Sequence, residues 1–127
     1  MNVIGVGIDL VAVPRVARLI ERHGTRALER VLTPGEREYC LGKVHPAQNV
    51  AARIAAKEAA FKALALDQEA LRIGWTELEV VRDRDGRPQL VLHGRAEQAA
   101  RRLGVCRSAV SLTHEREHAA AMVVLLG

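Results

Sequence analysis

Residues Arg53–Leu64 read RIAAKEAAFKAL, and the question of where their charges can go decides what kind of domain holds them. At about 100° per residue, Val50, Ile54, Phe61 and Leu64 make one apolar stripe. Lys57 falls inside it, and the opposite side is almost all alanine. A helix apolar all round packs in an interior, yet this one carries Arg53, Lys57, Glu58 and Lys62 within three turns. Desolvated charges need compensation. Glu58 and Lys62 project about 40° apart, and Arg53 and Lys57 form a second such pair on a different azimuth. Two ion pairs on the helix surface fit that spacing. So does a ligand site, with Glu58 on a hard metal and Arg53 and Lys62 on phosphate.

Outward from this helix, the chain alternates strands and helices without a strict order. Asn2–Val13 reads as a buried strand, with Ile4, Val6, Ile8 and Leu10 on one face and Val3, Gly5, Gly7 and Asp9 on the other. Two glycines before the acid let something lie close against the backbone. Pro14 opens a helix that runs to about His23 and stops at Gly24. Thr33, Pro34 and Glu36 make a capping-box start for a short helix to about Leu41. Pro46 or Ala47 opens the central helix, which ends near Leu66. Glu77–Arg82 and Gln89–His93 flank a hairpin turn at Asp85 and Gly86. A helix over Gly94–Leu103 and strands over Ser108–Thr113 and Ala119–Leu126 complete the chain, the last strand being apolar on both faces and so expected to be buried on both. The sum is α+β: one small domain, residues 1–127, with a long central helix packed on an antiparallel sheet.

The 127 residues suffice for one core. With only one Trp, one Tyr and one Phe, that core is built from Ala, Val, Leu and Ile. A net charge of +4 favours an acidic or phosphorylated partner. The few aromatics give little for nucleic-acid bases to stack on, and no apolar run approaches the 18 or so residues that cross a bilayer. Cys40 and Cys106 lack metal-type spacing and are expected to be reduced thiols in a cytoplasmic protein.

Three constellations bear on chemistry. A Mg²⁺ ion generally takes one or two carboxylates and completes its shell with waters and substrate phosphate oxygens. Asp9, flanked by apolar residues, is the best second acid beside Glu58. A competing motif, HEREH at His114–His118, matches the zinc-hydrolase pattern. That pattern needs a helix, whereas the residues before it read as strand and no third ligand follows. Finally, Arg15, Arg18 and Arg22 fall within a 60° arc of the first helix beside Leu19, with Arg26 nearby. The arc suits a solvated face, or one that docks an acidic helix or a nucleic-acid backbone.

Taken in order, GVGIDL at Gly5–Leu10, ERVLTPGE at Glu29–Glu36, RIAAKEAAFKAL and the terminal VSLTHEREHAAA resemble the holo-acyl-carrier-protein synthase family of phosphopantetheinyl transferases. The likeness runs from the first strand to the last. It implies that family's fold and Mg²⁺-dependent transfer of phosphopantetheine from coenzyme A to a serine of apo acyl carrier protein, for fatty acid biosynthesis, with release of adenosine bisphosphate. It also implies a homotrimer with active sites between neighbouring subunits. By match of position, Asp9 and Glu58 bind the metal, Lys62 meets the pyrophosphate, and Arg53 and His114 lie near the cofactor's phosphates. Glu58 and Lys62 are then the catalytic pair, and Arg15, Arg18, Arg22 and Arg26 are expected to meet the acidic carrier. One departure is visible: ALDQEALRIGW over Ala65–Trp75 stands where many relatives have a glycine-rich turn. The alternatives are the same chemistry on a specialised, polyketide-type carrier protein, and a non-enzymatic basic binding module.

Overall fold

A computed structural model describes the whole chain, Met1–Gly127. Its elements are β1 (Val3–Ala12), α1 (Val13–His23), α2 (Pro34–Leu41), α3 (Pro46–Leu64), β2 (Leu78–Arg82), β3 (Pro88–Leu92), α4 (Gly94–Leu103), β4 (Arg107–His114) and β5 (His118–Leu126). Short 3₁₀ turns at Thr25–Arg30, Ala70–Arg72 and Trp75–Glu77 join them. The main sheet has the order β1-β5-β4, antiparallel throughout, and β2 and β3 form a separate hairpin. The α+β reading and the long central helix are both present. No helix is long and apolar enough to cross a membrane.

Helix α3 is the axis of the domain because its alanines let it lie almost in contact with the sheet. Ala55, Ala56, Ala59, Ala60 and Ala63 are buried in one core with Leu64, Leu78, Val123 and Leu125. Ala51 and Ala52 join a second core formed with Val13, Val16, Leu28, Leu32 and Cys40. Gly5 and Gly7 of β1 face this helix, and a Cβ on either would collide with the carbonyl oxygens of Ala63 and Ala59, respectively. A side chain there would push helix and strand apart. The helix ends at Leu64, two residues before the position expected from sequence. There the backbone tightens into turns, with Ala65 N–H donating to Lys62 O and Asp67 N–H to Leu64 O.

The expectations of a buried β1 and of a β5 buried on both faces are corrected. Val6, Ile8 and Leu10 are 53%, 60% and 66% exposed, because α3 covers only the glycine face. Across the sheet they lie opposite Val124, Met122 and Ala120 of β5. Strand β5 is therefore also covered on one face only: Ala119, Ala121, Val123 and Leu125 are buried, while Met122 is exposed. Ile4 departs from its expected face and packs against the core, beside a register irregularity between Val3 and Gly5.

Candidate active site

Asp9 and Glu58 come from β1 and α3, which approach closely at Gly5 and Gly7, and both line one groove of about 650 Å³. Leu10, Val11, Val16, Leu19, Ile54 and Trp75 provide its apolar wall. The Lys62 ammonium donates to Ile8 O at 2.9 Å and to Asp9 Oδ1 at 3.2 Å. It therefore bridges the end of β1 one helical turn beyond Glu58. Asp9 is largely sheltered, with a side chain 19% exposed, whereas that of Lys62 is 56% exposed. The lysine is thus free to exchange Asp9 for another anion at little desolvation cost. Two hard carboxylate donors beside one mobile cation fit a Mg²⁺ site that takes its remaining oxygens from water and phosphate.

The arginine face leads into the same groove. Arg15, Arg18 and Arg22 all line it, with His23, at the α1 side. Arg26 lies on the 3₁₀ turn after α1 and is not part of that lining.

The other charges of α3 go elsewhere. Lys57 is wholly buried and pairs with Glu36 Oε1 at 2.7 Å. Burial pulls the Lys57 pKa below the ordinary lysine value, and the Glu36 carboxylate acts against that pull. Arg53 is also buried. Its guanidinium lies 4.2 Å from the centre of the Tyr39 ring, which Lys43 and Arg82 approach at 4.5 and 5.3 Å. Arg53 Nε and Nη1 have no hydrogen-bond partner. Arg53 and Glu58 stand about 140° apart around the helix, so this chain does not bring them together.

His114 ends β4 and contacts Gln48 Oε1 through Nδ1 at 3.1 Å. Strand β5 separates it from the β1 strand of Asp9, a gap of two strand spacings or about 10 Å. The HEREH segment is a hairpin turn. β4 ends at His114 and β5 begins at His118. Glu115 Oε1 accepts the N–H groups of Glu117 and His118. Its histidines do not have the helical spacing that the HExxH hydrolase pattern requires. Sequence reasoning missed two participants, Trp75 in the groove wall and Glu36 opposite Lys57. The presence of Lys57 in an apolar stripe was the available signal for a buried acid.

A profile of the 4'-phosphopantetheinyl transferase superfamily matches residues 5–123. The chain belongs to that superfamily. The transferase is 44% identical over 123 residues to the holo-[acyl-carrier-protein] synthase of Koribacter versatilis, covering 97% of this chain and 98% of that one. With the enzyme of the same name from Geobacter sulfurreducens it shares 46% over 125 residues, 97% of each chain. Among solved structures, the Helicobacter pylori holo-[acyl-carrier-protein] synthase in complex with coenzyme A superposes with a TM-score of 0.80. That pair shares 25% identity and covers 95% of this chain and 99% of that one. The transferase is therefore an enzyme, and the basic binding module is set aside.

Proposed function

We propose that the chain transfers phosphopantetheine from coenzyme A to a serine of apo acyl carrier protein, with Asp9 and Glu58 holding Mg²⁺. The observation that carries this reading is that Asp9 and Glu58 line one groove together with Arg15, Arg18 and Arg22, with Lys62 hydrogen-bonded to Asp9. Mg²⁺ bound there would supply neutralisation of the pyrophosphate charge. Lys62, already hydrogen-bonded to Asp9, needs only a side-chain rotation to donate to a phosphate oxygen and stabilise the charge that grows as the bond breaks. The serine oxygen forms a bond to the pantetheine-bearing phosphorus, and the bond from that phosphorus to the leaving adenosine bisphosphate breaks. Glu58 is the nearest acceptor for the serine proton. The guanidinium arc, with Leu19 beside it, suits the acidic helix of a carrier protein and acts chiefly on association rate and salt sensitivity.

Arg53 and His114 enter this reading through a neighbouring copy. One chain holds Arg53 on the far side of α3 from Glu58, so a single coenzyme reaches both only where two copies meet. The uncovered apolar face of β1 and β5 supports such an assembly, and a homotrimer is the form proposed. Lys43 and Arg82, exposed on the same Tyr39 ring that covers the buried Arg53, offer a phosphate its charge complement. Fatty acid biosynthesis in a reducing cytoplasm is the setting proposed, consistent with two free thiols.

The test is the mass of apo carrier protein after incubation with coenzyme A, Mg²⁺ and the enzyme. A gain of one phosphopantetheine group is expected. Asp9→Asn and Glu58→Gln should each slow it by about two orders of magnitude or more, since electrophilic stabilisation by a metal is worth several kcal/mol. An absent mass gain, or near-normal rates in both folded variants, would remove the assignment.

A further inference from the structure

Lys57 precedes Glu58 in the chain but points about 100° away from it around α3, into the interior. All three of its donors are used: Glu36 Oε1 at 2.7 Å, Trp75 O at 2.9 Å and Leu78 O at 2.6 Å. Glu36 is equally buried and equally engaged. Its Oε1 also accepts Thr33 N–H at 2.9 Å, and its Oε2 accepts Val80 N–H at 2.8 Å. One ion pair thus ties together the start of α2, the middle of α3, the Trp75 turn and β2.

The rest of the buried surface of α3 cannot provide this. Alanines at positions 52, 55, 56, 59, 60 and 63 carry most of that surface, with Val50 and Leu64 near its ends, and apolar side chains make no directional bond. Hydrogen bonds are directional, and Arg53, the other buried charge of α3, leaves two nitrogens unpartnered. Lys62 also reaches β1, at Ile8 O and Asp9, but from a half-exposed position, so Lys57 is the one buried charge of α3 whose donors are all partnered. Trp75 carries the constraint to the groove. Its carbonyl is held by Lys57, its ring meets Phe61 edge-on with centroids 5.3 Å apart, and its side chain lines the groove with Asp9 and Glu58. A buried ion pair is a poor device for stability alone, since well-packed apolar side chains of similar volume often serve as well.

We propose that Lys57, through its buried pair with Glu36, is a positioning residue that fixes the roll of α3 and the Trp75 wall and so sets the separation of Asp9 and Glu58. This rests on the reading of that carboxylate pair as a metal site. The test uses Mn²⁺ alone as probe, followed by electron paramagnetic resonance of the free ion, together with acrylamide quenching of Trp75, the chain's only tryptophan. Lys57→Met keeps length and removes the donors; Glu36→Gln is the milder change should the first not fold. Both are measured below their melting transitions with the helical circular dichroism checked.

The expected result is a dissociation constant for Mn²⁺ raised at least fivefold, with Trp75 more readily quenched, in whichever variants fold. Wild-type Mn²⁺ affinity in a folded variant overturns the proposal, whatever Trp75 does. Glu58→Gln is the control for the underlying reading. If it binds Mn²⁺ like the wild type, the metal assignment fails and turnover decides: a tenfold lower kcat with unchanged KM supports positioning by Lys57, and a wild-type kcat overturns it.

Discussion

At the scale of single residues, surroundings rather than chemical type decide behaviour, and the two cysteines make the contrast measurable. Cys40 is buried in the second core, and Cys106 is exposed. Burial raises the Cys40 pKa to about 11, with the nearby Arg53 guanidinium drawing it back only in part. Since the thiolate is the reactive form, Cys40 is both inaccessible and protonated at neutral pH. Titration with an aromatic disulfide reagent should therefore find one fast thiol per folded chain and two in denaturant; two fast thiols in the native protein would contradict the packing of α2 against α3. The α3 charges follow the same logic. That Glu58 and Asp9 share one groove, with Lys62 bonded to Asp9, was legible because charges on an apolar helix demand compensation and because an acid follows two glycines on one strand face. The partner of Lys57 was not legible. Glu36 reads from sequence as a capping-box residue, which it is, with Thr33 N–H donating to Oε1; only the tertiary approach of α3 lets the same oxygen accept an ammonium as well.

At the scale of elements, caps and turns set the boundaries and a few directional contacts set the docking. The capping box at Thr33 and Glu36 forms as the residues suggest, and α4 occupies its expected span of Gly94–Leu103. The 3₁₀ turns escaped notice because their short hydrogen bonds are imposed by neighbouring elements rather than by a hydrophobic period. The segment over Ala65–Trp75 is organised by Asp67. Its carboxylate accepts both Arg102 Nε and Nη2 at 2.9 Å and the N–H of Glu69 at 3.1 Å, fastening the end of α3 to α4. Its side chain is only 8% exposed. The Arg102 guanidinium, helped by Glu69 N–H and opposed by desolvation, holds the Asp67 carboxyl below its ordinary value. A depressed folded pKa contributes stability that is fully present above the unfolded value of about 3.9 and disappears as pH falls through the folded value. Asp67→Asn should accordingly lower the urea midpoint at pH 7. The gap from wild type should then close in acid below about pH 4. A gap that persists unchanged to pH 2 would mean that the carboxylate charge is not what fastens α4.

At the scale of the whole molecule, one face of the sheet leaves apolar side chains exposed, and the cations around Tyr39 lie outside the groove of Asp9 and Glu58. The proposed neighbouring copy would answer both, and it is the resemblance rather than the residue pattern that suggested it: alternation within β1 marks two different faces but not whether α3 or another copy covers each. Val6, Ile8, Leu10 and Met122 are the exposed apolar residues of that face. If that neighbour brings its Arg53 to the Asp9, Glu58 and Lys62 of the first chain, every active site is built from two copies, and defects in different copies can compensate. Arg53→Gln removes one contribution and Glu58→Gln the other, so each purified variant alone should be nearly inactive. Unfolded together in equal amounts and refolded, they should form hybrid rings in which about a quarter of the interfaces join an intact Glu58 to an intact Arg53, as random heterologous association requires. Transfer to apo carrier protein should return to roughly that fraction of the wild-type rate, in an assembly whose light-scattering mass is three times the 13.9 kDa of the chain. Absence of recovery in a mixture that does assemble would confine each site to a single chain and separate Arg53 from the coenzyme.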